Sequence, residues 1–201
     1  MSIEIDHENR KKKILQKALL LFAEQGYSSV TFQKIADNCG ISRTTLYRYF
    51  HDKREILDES INNFFTPMLQ KQKRITSQNN LSTHEKLIGV FKTATDSLYK
   101  ERTTLIKILE YLLTRKHSGE EISGKIVRHT WKQRLLIHRL LAEGIKNGEF
   151  KPVGLRIANN LLYSQLETLT FRLIVRGDVD LIETNETLKK LLTGLQAHEK
   201  K

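Results

Sequence analysis

Apolar residues recur at helical spacing along nearly the whole chain. Between positions 9 and 25 they fall at Ile14, Leu15, Ala18, Leu19 and Phe22, the stripe of an amphipathic helix. Gly26 ends that run, because a residue without a side chain tolerates the left-handed backbone of a helix end. Thr31, whose hydroxyl can accept a first-turn N–H, opens a short second helix through Ile35 and Ala36 to about position 38. Cys39, Gly40 and Ile41 make a tight turn, and Ser42 caps a third helix over about 43–49. Asp52 caps a fourth that carries Ile56, Leu57, Ile61, Phe64 and Phe65, with Pro67 bending it rather than ending it. A polar loop over 76–83 follows, then helices predicted over 84–99, 102–117, 121–146, 155–176 and 181–198. Their boundaries are the turns near 100–101, 117–119, 147–152 and 177–178. No alternating strand pattern competes, so the expected fold is all-α with about nine helices.

Composition adds limits rather than a function. Two prolines among 201 residues suit long uninterrupted helices. One cysteine cannot build a disulfide framework or a cysteine zinc site. The basic run Arg10 to Lys13 precedes an apolar segment, but Gln16 and Lys17 interrupt it and no small-residue cleavage site follows. No stretch has the roughly 20 apolar residues of a membrane span. A cytoplasmic chain with a reduced thiol, and without a membrane partner, is therefore expected. The formal net charge of +11 favours polyanionic partners. That excess is spread out: residues 1–56 hold 10 basic and 7 acidic side chains, and the remainder 24 and 16.

The informative segment spans residues 27–57. Two short helices around a three-residue turn with a central glycine meet the geometric demand of a helix-turn-helix. In the third helix Leu46 and Phe50 lie one turn apart and face inward. At 100° per residue Thr44 and Arg48 then point outward, flanked by Thr45 and Tyr47. Hydroxyls, a phenol and a guanidinium on one face bond phosphate oxygens and base edges, arginine pairing two-pronged with guanine.

Gly26-Tyr27, Thr31 with Ile35-Ala36, and Gly40-Ile41-Ser42-x-Thr44-Thr45-Leu46-Tyr47-x-Tyr49-Phe50-x-x-Lys53 together resemble the DNA-binding module of TetR-type transcriptional regulators. The match covers about 50 residues, with glycine, apolar and aromatic positions in register. The resemblance implies a homodimer with an N-terminal three-helix DNA-binding head, residues 1–56, and a larger helical ligand-binding and dimerisation body, residues 57–201. It implies Arg43, Thr44 and Arg48 as base readers, and Thr31, Ser42, Thr45, Tyr47, Tyr49 and Lys53 as phosphate contacts. Two departures stand out: Thr44 occupies a position where the family often has glycine, and Cys39 one where it often has alanine.

The helix predicted over 155–176 is apolar nearly all round, and a helix without a polar face must bury both sides. A twin subunit is the simplest cover for the second side. Leu155, Leu162, Leu166, Leu169 and Leu173 are the expected interface there, with Leu181, Leu188, Leu192 and Leu195 of the last helix forming a heptad-like seam. Phe91, Tyr111, Trp131, Leu135, His138 and Phe171 are spaced to face inward from the middle helices and are the candidate lining of a small-molecule pocket. No cofactor or metal is expected. The seven histidines make no helical zinc motif, and there is neither a glycine-rich phosphate loop nor a Gly-x-Ser-x-Gly turn, so catalysis finds no support. The expected function is a ligand-responsive regulator, most simply a repressor released from a palindromic operator by a small-molecule effector. The alternative is a TetR-like activator or protein-interaction module without an effector.

Overall fold

A computed structural model describes residues 2–117, 119 and 124–197. Among them are nine α-helices: α1 Ser2–Gln25, α2 Phe32–Cys39, α3 Arg43–Tyr47, α4 Lys53–Thr76, α5 Thr83–Lys100, α6 Arg102–His117, α7 Gly124–Lys146, α8 Leu155–Arg176 and α9 Leu181–Leu195. The fold is all-α; one isolated antiparallel bridge, Phe150 with Gln196, is the only extended pairing among the described residues. Three ends differ from the pattern reading. Helix α1 begins seven residues before position 9, where polar residues mask the periodicity, and α3 stops at Tyr47. Pro67 sits inside α4 and does not end it. Helix α9 stops at Leu195, short of the predicted 198, because Gln196 turns into extended backbone and bridges to Phe150, whereas the start predicted at 121 lies outside the described residues.

The chain divides into two compact units, residues 1–67 with 103–129, and residues 68–102 with 130–201. The first unit thus takes in most of α6 as well as the N-terminal helices. Its core is the predicted α1 stripe, Ile14, Leu15, Ala18, Leu19 and Phe22, packed with Ile35, Leu46, Phe50, Ile56, Ile61 and Ile108. Ser60 adds a buried polar tie, donating to the Leu15 carbonyl at 2.9 Å and fastening α4 to α1. Burial of such side chains is worth about 1.5–3 kcal/mol each, which outweighs the weak intrinsic helicity of α2 and α3 at 8 and 5 residues.

In the second unit, Leu87, Val90, Phe91, Ala94 and Leu98 of α5 supply one buried row, and Ala158, Leu162, Leu166, Leu169 and Leu173 of α8 another. Leu188 and Leu192 of α9 are buried with them, as are Ile137, Leu140 and Leu141 of α7. Helix α5 starts with a capping box: Ser82 accepts from the Glu85 N–H, and the Glu85 carboxylate accepts from the Ser82 N–H. A second carboxylate reaches the same end from far along the chain. Glu149 accepts from the Thr83 hydroxyl at 2.7 Å and from the His84 N–H at 3.1 Å. Phe150 follows it and lies so close to Gly144 that a Cβ there would stand 2.1 Å from the ring. Tyr99 donates to the Asp178 carboxylate at 2.8 Å and Thr95 to the Asn185 side chain at 2.9 Å, anchoring the region around α9 to α5.

Candidate nucleic-acid interface

The turn between α2 and α3 is built by Gly40. Its φ of 69° and ψ of 35° are the left-handed conformation, from which its N–H reaches the Ala36 and Asp37 carbonyls. The chain reverses and Ser42 starts α3, its hydroxyl accepting from the Thr45 N–H at 3.0 Å. Thr31 does the same for α2, accepting from the Lys34 N–H at 3.1 Å. Inside, Leu46 and Phe50 are fully buried. That anchoring fixes the rotation of α3 and leaves Ser42, Arg43, Thr44, Tyr47 and Arg48 exposed.

These side chains are already partly organised. The Arg43 guanidinium donates to the Tyr47 hydroxyl at 3.2 Å and lies 5.6 Å from its ring centre. Tyr47 in turn stacks on Phe32 at the start of α2, with ring centres 4.4 Å apart. Thr44 and Arg48 stand clear of this shelf. Ser42 and Thr45 share a hydroxyl hydrogen bond of 2.8 Å, and Thr45 is half-buried. Tyr49 is half-buried too, stacked on His7 of α1 at 4.5 Å. Lys53, in the first turn of α4, donates to the Tyr27 carbonyl at 2.8 Å and sits 4.1 Å from the centre of the Tyr27 ring. Burial there pushes its ammonium pKa below the ordinary lysine value. Burial likewise raises the Cys39 thiol, with Lys17 opposing.

Seven of the nine residues expected at DNA, Ser42 to Thr45 and Tyr47 to Tyr49, thus lie on α3 and its two ends, while Thr31 starts α2 and Lys53 starts α4. Sequence reasoning missed the supports behind them: Phe32, His7 and Tyr27. An aromatic just after the Thr31 cap gives no sign, in one dimension, that it will underlie Tyr47.

The expected pocket lining is not gathered in this way. Phe91 is buried on α5 and His138 half-buried on α7, but Trp131, Leu135 and Phe171 are 68%, 54% and 65% exposed. The inward row of α7 is Gln133, Ile137 and Leu140, and Trp131 and Leu135 each lie two positions, about 200°, away from a member of that row. Tyr111 belongs to the first unit, where it packs on Tyr27. A cleft of about 490 Å³ lies in that same unit, with Phe22, Tyr27, Leu57, Ile108 and Tyr111 among its walls.

The leucines expected at an interface are largely covered within the chain itself. Leu162, Leu166, Leu169 and Leu173, with Leu188 and Leu192 of α9, are buried within the single chain, and Leu155, Leu181 and Leu195 are half-buried. The uncovered face of α8 is the opposite row, Ile157, Leu161, Phe171 and Val175, and Ile182 of α9 is exposed as well. Helix α8 is thus apolar on two sides and covered on one. No described helix is long and apolar enough to cross a membrane, and no group of His, Cys, Asp or Glu among the described residues could hold a metal.

Residues 14–60 match the family model of bacterial regulatory proteins of the tetR family. The HTH-type transcriptional repressor KstR2 of Mycolicibacterium smegmatis is 25% identical over 144 residues, 72% of this chain and 69% of that protein. The fatty acid metabolism regulator protein of Bacillus subtilis is 27% identical over 186 residues, 91% of this chain and 94% of that one. A solved structure of the regulator FadR from Bacillus subtilis, in complex with stearoyl-CoA, superposes with a TM-score of 0.69 at 23% identity, covering 89% of this chain and 95% of that one. The glycine turn and the anchored α3 thus lie within a segment that matches the tetR family model, and along most of its length the chain is similar to TetR-type transcriptional regulators.

Proposed function

We propose that the protein is a homodimeric, ligand-responsive repressor that holds a palindromic operator and leaves it when a small molecule binds the body, residues 57–201. The observation that carries this is the outer face of α3, where Arg43, Thr44 and Arg48 stand exposed on a helix whose inner side is locked by Leu46. Arg43 and Arg48 read guanine edges and Thr44 a neighbouring base, while Thr31, Ser42, Thr45, Tyr47, Tyr49 and Lys53 set register on the phosphates. The uncovered row of α8 joins two copies, so that their α3 helices enter successive major grooves roughly 34–36 Å apart. Helix α4 begins at Lys53 in the head and continues into the body, and is the lever by which an effector alters that spacing. Release requires the effector to bind the non-binding conformation more tightly; affinity alone moves no equilibrium.

Stearoyl-CoA, present in the FadR complex, is the first effector to test. Selection of duplexes from a random pool by the purified chain, repeated with stearoyl-CoA and other acyl thioesters, addresses both halves of the reading. A palindromic consensus lost on adding an effector is the expected result. A non-symmetric consensus overturns the dimeric operator, and a palindrome that no candidate small molecule weakens favours the effector-free activator or interaction module.

A further inference from the structure

Tyr27, in the turn between α1 and α2, holds several partners at once. Its ring lies 5.1 Å from that of Tyr111 on α6 and 5.6 Å from that of Phe22 on α1. The Lys53 ammonium sits over the same ring at 4.1 Å and donates to the carbonyl of the same residue at 2.8 Å. Beside these groups opens the cleft of about 490 Å³, with Tyr27, Ser28 and Ser29 on one wall and Lys107, Glu110 and Tyr111 on the other. The two tyrosine rings therefore bridge from α6 to the turn at the edge of an open space.

A lysine ammonium carries three donors on a long flexible stem, and the rotamer freedom of that stem opposes any single placement. Here a carbonyl takes one N–H and an aromatic face attracts the charge, which leaves two N–H donors for a phosphate oxygen. The place of the ammonium is set by the Tyr27 ring, and the place of that ring by its neighbours, of which Tyr111 is the one supplied by α6. We propose that Tyr27 and Tyr111 are positioning residues for Lys53, coupling α6 to the DNA backbone through two packed rings. The inference rests on the reading of Lys53 as a phosphate contact. It adds a second path to the α4 lever: displacement of α6 parts the rings, the ammonium loses its seat, and one phosphate contact weakens without any change in α3.

The test uses the full chain and a random-sequence duplex over a salt series, since a phosphate contact reads no sequence. Lys53→Ala is expected to bind roughly tenfold more weakly and to reduce the log–log salt slope by about 0.9. Tyr111→Ala is expected to weaken binding several-fold, with the slope reduced in the same direction, whereas Tyr111→Phe keeps the ring and behaves as the parent. In the Lys53→Ala background Tyr111→Ala should add nothing, because its effect passes through the ammonium. A Tyr111→Ala chain with parental affinity and slope, or a loss that adds fully to that of Lys53→Ala, overturns the coupling. An unaffected Lys53→Ala overturns the phosphate contact and the coupling with it. Thermal melts by circular dichroism accompany each variant, and Tyr111→Leu, which fills space without a π face, replaces the alanine variant if that one does not fold.

Discussion

Arg43 is the residue whose role depends most on its neighbours. Its guanidinium is braced by the Tyr47 hydroxyl, and Tyr47 by the Phe32 ring, so part of the entropy of ordering a long side chain is already met before DNA arrives. Arg43→Ala is expected to cost about 1–3 kcal/mol at the preferred site and to relax one base position. Competition binding across single-base variants measures this, and equal losses on operator and random duplex would contradict base reading. Lys53 calls for a different experiment. Burial holds its pKa below that of an exposed lysine, so the proton leaves sooner as pH rises. Affinity for DNA should therefore fall on the alkaline side earlier than in the Lys53→Arg variant, whose guanidinium keeps its charge.

Between elements, the second unit depends on a short segment that no periodicity reveals. Glu149 and Phe150 lie in the stretch between α7 and α8, yet one caps α5 and the other fills the space against Gly144. Gly144→Ala should cost about 1–3 kcal/mol, because its Cβ would meet the fully buried ring rather than a flexible side-chain end. Denaturant melts give the value, and Phe150→Leu in the same chain should recover part of it. Partial burial tends to raise the Glu149 pKa, but the Thr83 hydroxyl and backbone bonds from Thr83 and His84 prevail, and the carboxyl titrates below its usual range. A carboxylate depressed in the folded state stabilises above its unfolded pKa, and that contribution is lost as pH falls through the folded value. Stability should thus decline with acid below the ordinary pKa of 4.5, and the Glu149→Gln variant, less stable at neutral pH, should lose less over that window.

For the whole molecule, the proposed dimer assigns the uncovered row of α8 to association and the covered row to folding. Phe171→Glu places a charge on the uncovered row and is expected to shift sedimentation from a species of twice 23.4 kDa towards the monomer, with the melting behaviour of the monomer kept. Leu162→Ala, on the covered row, should instead cost about 2–5 kcal/mol of folding stability. A Phe171→Glu chain that remains dimeric would remove this row from the interface.

The head was legible because its signals are local. Gly40 needs a left-handed backbone, Thr31 and Ser42 need free N–H groups within three residues, and Leu46 and Phe50 need one turn of helix; each requirement closes within a short window. In α8 periodicity shows that both sides are apolar, but nothing in the order of residues says which row meets α5 and which meets solvent. The same holds for Trp131 and Leu135, which read as inward until the row Gln133–Ile137–Leu140 takes the core. Residue order alone determined the succession of helices, the local caps Thr31 and Ser42 and the outward face of α3, since each is a matter of short-range geometry. Tertiary structure alone decided which apolar row is covered, and it brought together Tyr111, Tyr27 and Lys53, because those contacts join positions 26 to 84 residues apart, where only the packed chain sets distance.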